Sequence, residues 1–212
     1  MTVITVRGQM GSGAPEIGKI IANKLRIDYV DQKIIADVAA RLDWSERGIA
    51  EKEMPPGTII GRIVEALTHN STGDPGYSGI YQPTWEIPLV TGDYLAGLKS
   101  VIKDLASNQS IVIRGRGSQF ILKDFPGAFH VLFVAPLAIR LKRVMRDLNT
   151  TKEGAKIEIT RFDSSRREFT KRYFHANLED PLHYDLVINT KLLSFESAAS
   201  IVVQASKKHH MK

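Results

Sequence analysis

Short β-branched runs alternate along this chain with longer stretches whose apolar residues recur at helical spacing. Val3 to Val6 is the first such run, and it ends at Gly8, as a buried strand entering a tight turn would. Pro15-Glu16 then suits a helix start, because proline tolerates the first helical position and the acid meets the positive end of the helix dipole. Ile17, Ile20, Ile21 and Leu25 continue at helical spacing. Tyr29-Val30-Asp31 reads as a short strand end, and Ile34, Ile35, Val38, Ala39 and Leu42 form the apolar stripe of a second helix.

From residue 54 to 90 the pattern is less regular. One helix is expected from Ile59 to Leu67, before the turn-rich stretch Asn70 to Tyr77. Alternation then resumes. A helix carrying Tyr94, Leu95, Leu98, Val101, Ile102 and Leu105 precedes the strand Ile111–Ile113. The strand His130–Val134 leads through Ala135-Pro136 into a helix with Leu137, Leu141, Val144 and Leu148 on one side. A long charged helix around Ile157 to Phe174 precedes the strand Leu186–Ile188 and a last helix with Phe195, Ala198, Ala199 and Val202, and residues 207–212 read as a solvated or frayed tail.

This order predicts one α/β domain over residues 1–212, with a mostly parallel five-stranded sheet and helices on both faces. Its core spans about 1–53 and 91–206, with an insertion at about 54–90 and a lid at about 147–168. The 212 residues and a hydrophobic fraction of 43% are enough for one sizeable core. With no cysteine, disulfides and thiolate metal sites are excluded, and a reducing, cytoplasmic setting is expected. No stretch approaches the roughly 18 apolar residues of a membrane span, and the first residues lack the flank and core of a secretion signal.

A net charge of +6 favours polyanionic partners, either phosphorylated small molecules or nucleic acids. The basic residues are dispersed and aromatics do not interleave with them, so nucleic acid is not the expected partner. His69, His130, His175 and His183 lack metal-ligand spacing, which argues against a histidine-bound zinc. Trp85 and Tyr94 read as packing residues.

Strand, glycine-rich turn and helix in succession form the arrangement in which backbone amides cradle phosphate. Gly8 and Gly13 take the two glycine places of the G-x-x-x-x-G-K-[ST] pattern, and Gly11 and Ser12 loosen the turn further. Where the pattern calls for lysine and a hydroxyl residue, Ala14 and Pro15 stand instead. The phosphate-bridging ammonium and the magnesium-binding hydroxyl are both missing. An unliganded strand-to-helix turn is the plainer alternative, and Lys19 or Arg7 is a candidate substitute for the lysine.

Phosphoryl transfer needs charge neutralisation and alignment more than covalent chemistry. Arg140, Arg143 and Arg146 recur every third residue, on one side of a helix at the carboxyl edge of the sheet. Arg161, Arg166 and Arg167 follow across the polar segment Asn149 to Gly154. A solvated helix face is the competing reading. Asp163 and Arg166 are spaced for an intrahelical ion pair, and Asp31 is placed to cap the next helix.

Gly11 to Gly18, Val112-Ile113-Arg114-Gly115-Arg116, Ala135-Pro136-Leu137 with Arg140 and Arg143, and Tyr184 to Thr190 together resemble the cytidylate kinase-like family, across nearly the whole chain. The resemblance implies a phosphate-binding-loop fold and an ATP- and Mg2+-dependent transfer of phosphoryl to a nucleoside monophosphate. By the same resemblance Gly11, Ser12 and Gly13 match the donor phosphate loop, with Gly8 and Ala14 of the same turn also expected at the donor, Arg116 faces the acceptor, and Asp31 lies near acceptor and metal. Asp163 and Arg166 match the family's Asp-x-x-Arg lid motif, and Arg140, Arg143 and Arg166 would stabilise the transferring group. In cytidylate kinases acids flank the Gly-Arg pair, whereas Arg114 and Gly117 stand there in this chain, so the metal ligands and the acceptor stay open. A nucleotide-binding protein that lost catalysis with the lysine is the alternative function. A homodimer is compatible with either.

Overall fold

The computed structural model describes residues 1–31 and 92–209. The helices expected at Ile34–Leu42 and Ile59–Leu67, the turn-rich stretch and Trp85 lie outside the described residues. Within them the elements are β1 (Val3–Gly8), α1 (Ala14–Leu25), β2 (Asp28–Val30), α2 (Gly92–Asn108), β3 (Ile111–Arg114) and α3 (Ser118–Ile121). They continue with β4 (Ala128–Val134), α4 (Leu137–Asp147), α5 (Lys152–Phe174), a 3-10 turn at Pro181–His183, β5 (Leu186–Asn189) and α6 (Phe195–His209).

All four strand pairings are parallel, in the order β2-β3-β1-β4-β5. β1 is central because both its faces are apolar. Val3 joins the side covered by α2, α3 and α5 with Leu98, Ile102 and Phe169, while Ile4 and Val6 join the side covered by α1 and α6 with Ile17, Ile21 and Val202. Fully burying one such side chain stabilises by roughly 1.5–3 kcal/mol. The loop after β1 therefore departs from the most firmly held strand.

α1 opens on Gly13 in the left-handed region, with Pro15 and Glu16 in its first turn, and closes on Arg26, also left-handed. α5 begins at Lys152, about five residues before its expected start, because the Thr151 side chain accepts the Gly154 N–H and caps it. Of the polar segment Asn149 to Gly154, residues 152–154 are thus helical. A small separate core of Val144, Ala155 and Ile159 joins α4 to α5, and Met10 of the β1–α1 loop packs against it. α6 runs through Lys207 and Lys208 to His209, a cationic last turn that suits the helix dipole. The tail expected to fray from residue 207 is helical to that point.

Candidate functional site

The carboxyl ends of the strands bring together the β1–α1 loop, Asp31, Arg114, Pro136 and Thr190, where ligands of open parallel sheets bind. Every backbone group of the loop can be followed to a partner or to the cleft. The carbonyls of Gly8 through Gly13 all accept: from the Arg7 guanidinium, Ser12 N–H, Arg140, Arg143, the Thr190 hydroxyl and Ile17 N–H in turn. Gln9 N–H donates to Phe133 O, and Met10 N–H to Asp163 Oδ1 at 3.1 Å. Among the described residues, the N–H groups of Gly11, Gly13 and Ala14 find no protein acceptor.

Those three residues wall a cleft of about 240 Å³, together with Gly8, Met10, Lys19, Asp31 and Arg114. Gly11 and Gly13 have φ of +77° and +87°, values that place successive amides on one concave side. A Cβ on Gly8 would overlap Ser12 Oγ and Ala14 Cβ, and one on Gly13 would overlap the Phe195 ring. Ser12 is turned inward and fully buried, so it belongs to the loop's foundation rather than to the wall of the cleft.

The arginines divide by position. Arg140 is buried, with NH1 2.6 Å from Asp163 Oδ2 and 3.3 Å from Met10 O. Arg143 reaches Gly11 O at 3.1 Å, Thr190 Oγ1 at 2.9 Å and Thr190 O at 2.8 Å, and its guanidinium lies over the Phe195 ring. Burial, with Arg146 adding to it, lowers the Arg143 pKa. Both arginines, expected on the transferring phosphate, hold loop carbonyls. Asp163 sends its oxygens to Arg140 and Met10 rather than to Arg166. Arg146 pairs with Asp147 and Arg167 with Glu179.

Arg166 instead stacks on Phe162, its Cζ 3.4 Å from the ring centre. It lines a second, smaller cavity of about 40 Å³ with Arg7, Arg114, Arg116 and Gln119. The two cavities share Gly8, Arg114 and Phe162 as a common wall. Arg116 is held at φ +54° between Gly115 and Gly117, both also left-handed. Three such residues in a row aim its side chain from a sharply coiled turn that costs a non-glycine residue about 1 kcal/mol or more.

Arg114 pairs with Asp31 at 3.9 Å, and both line the first cleft beside Tyr29. Burial pushes the Tyr29 hydroxyl up to about 12, against the opposing pull of Arg114. Burial also lowers the Arg7 pKa, although nearby Tyr184 and Asp163 favour its charge. Thr190 and Tyr29 belong to the site although the sequence marks them only as a member of the family-like segment and as a strand residue. A threonine at the carboxyl end of the last strand was the available signal for the first, and nothing but adjacency to Asp31 marked the second.

The donor set fits a chain of phosphates better than it fits a metal. Outward amides, glycine-only contours and cationic side chains suit an anion. For magnesium, Ala14 and Pro15 offer no hydroxyl, and among the described residues no three His, Cys, Asp or Glu side chains gather as ligands. Among those residues, no helix is long and apolar enough to cross a membrane.

The pattern that defines the cytidylate kinase-like family matches residues 3–192, and the chain belongs to that family. It is 24% identical over 201 residues to a cytidylate kinase of Sulfolobus acidocaldarius, a match covering 94% of this chain and 91% of that protein. A match to a uronate isomerase of Corynebacterium glutamicum, 30% identical over 103 residues, covers 49% of this chain and 20% of that enzyme, so it concerns a local segment only. In structure, the chain resembles a protein from Eubacterium ventriosum at TM-score 0.70 and 16% identity, over 98% of this chain and 99% of that one. The sheet order, the loop after its central strand and the family together make this a P-loop NTPase fold.

Proposed function

We propose that this member of the cytidylate kinase-like family is an ATP-dependent kinase of a nucleoside monophosphate or a related small acceptor, acting in the cytoplasm. The observation that carries the reading is the common wall: a cleft with unclaimed loop amides adjoins an arginine-lined cavity across Gly8, Arg114 and Phe162. A transfer between two phosphorylated molecules needs two anion sites meeting at one point.

ATP, when bound, would supply the phosphoryl group and its leaving group. The amides of Gly11, Gly13 and Ala14 would hold the donor phosphates, and exposed Lys19 at the cleft wall would supply the cationic side chain that the loop lacks. Arg116 and Arg166 would orient the acceptor's anionic group. Arg114, common to both cavities, would neutralise charge between them, with Asp31 fixing its approach. Residues 147–168 would close over the donor as a lid.

Release of ADP, measured against a panel of nucleoside monophosphates, tests this. One acceptor should stimulate release, and Arg116→Ala should raise the KM for that acceptor about tenfold or more. Absence of acceptor-dependent release across the panel defeats the reading. A second reading, nucleotide binding without turnover, is favoured by one contact: the Asp163 carboxylate already occupies Met10 N–H. Calorimetric binding of ADP by a chain that turns over no acceptor would select it.

A further inference from the structure

We infer that Thr190, acting with Arg140 and Arg143, is a positioning residue that keeps the amides of the phosphate loop turned toward the cleft by anchoring the opposite sides of its peptide groups. In a trans peptide the C=O and the following N–H point in opposite directions. Fixing a carbonyl therefore aims the next amide. Arg140 holds Met10 O, which turns Gly11 N–H away from α4. Arg143 holds Gly11 O, and the amide of that same peptide group, Ser12 N–H, folds back onto Gln9 O at 3.0 Å.

Thr190 completes the sequence. Its hydroxyl lies 2.8 Å from Ser12 O, which turns Gly13 N–H outward, and it is also the 2.9 Å acceptor for Arg143. A hydroxyl has one proton to give and lone pairs to accept with, so Thr190 can donate to Ser12 O while receiving from Arg143. Thr190 is fully buried, and its own N–H is tied to Val134 O at 2.9 Å. The clamp is thus fastened to β4 and α4, not to the loop it holds. The lining of the cleft agrees: Gly11, Gly13 and Ala14 wall it, and Ser12 does not. In the usual loop a lysine side chain helps to bridge the phosphates. Here Arg140 and Arg143 spend their hydrogen bonds on loop carbonyls instead.

The consequence for ligand affinity rests on the kinase reading, but the clamp itself does not, and the test separates them. In the full ¹⁵N-labelled chain, backbone order parameters at Gly11, Ser12 and Gly13 are measured for wild type, Thr190→Val and Thr190→Ser, followed by titration with ADP. Thr190→Val should lower the loop values from about 0.85 to below about 0.6, leave Ile4 and Val131 unchanged, and weaken ADP binding about tenfold or more. Thr190→Ser, which keeps the hydroxyl, should restore both.

A loop that stays ordered in Thr190→Val overturns the clamp, whatever ADP does. A loop that loosens while wild type binds no ADP upholds the clamp and defeats the nucleotide reading. If Thr190→Val does not fold, Arg143→Lys serves instead, because an ammonium lacks the fork that reaches Gly11 O and both Thr190 oxygens at once. Unchanged order in that variant is equally fatal.

Discussion

At 5% exposure, Asp163 is a carboxylate inside the protein, and it survives there because one oxygen meets the Arg140 guanidinium and the other an amide. Removing one partner of a buried ion pair strands the other charge, which costs about 3–5 kcal/mol. Asp163→Ala is therefore expected to lower the thermal midpoint by roughly 10 °C, while replacing the pair together, Arg140→Met with Asp163→Leu, should recover much of the loss. A melting curve for Asp163→Ala that overlays wild type would contradict the assignment. Family spacing marks these residues in the sequence, but not their partners. Asp163 lies three positions from Arg166 and 23 from Arg140, so helical spacing alone favours the wrong pair; tertiary packing of α5 on α4 decides it. Likewise Arg140 and Arg143 were legible as a cationic row at the right edge, whereas their both reaching loop carbonyls depends on the loop's path.

At the scale of elements, the strands were legible to within two residues at either end because a sheet buried on both faces leaves apolar runs. Helix limits were less so. Thr151 and the cationic end of α6 extend helices into segments whose polarity alone reads as loop. One polar stitch inside the sheet was invisible: His130 Nδ1 lies 2.8 Å from Thr5 Oγ1 across β1 and β4, and His130 N–H donates to Asp185 Oδ2 just before β5. Burial holds the His130 pKa below 6.5, with His209 adding to that and Asp185 and the Leu122 backbone opposing it. In the interval between the lowered value and 6.5 the unfolded chain binds more protons, so stability rises with pH there. This contribution is complete above pH 6.5 and is lost as pH falls through that interval. Denaturant melts from pH 7.5 to 5 should show the decline, and His130→Gln should flatten its histidine-dependent part; an unaltered slope would remove His130 as its source.

For the whole molecule, a parallel sheet with β1 at its centre brings loops from five strands to one edge, and that gathering places Arg114, Arg143 and Lys19 around a lysine-less turn. The fold and the family followed from patterns spread over nearly the whole sequence. The two adjoining cavities did not, because their common wall is made by Gly8, Arg114 and Phe162, residues far apart in the chain. Nucleotide binding here requires the amides of Gly11, Gly13 and Ala14 to hold phosphate without the usual loop lysine, with Lys19 only at the cleft wall. A crystal structure of the chain saturated with ADP measures this directly. The β-phosphate should lie within about 3.2 Å of those nitrogens, and ADP bound with its phosphates elsewhere, or no ADP at saturating concentration, would contradict it.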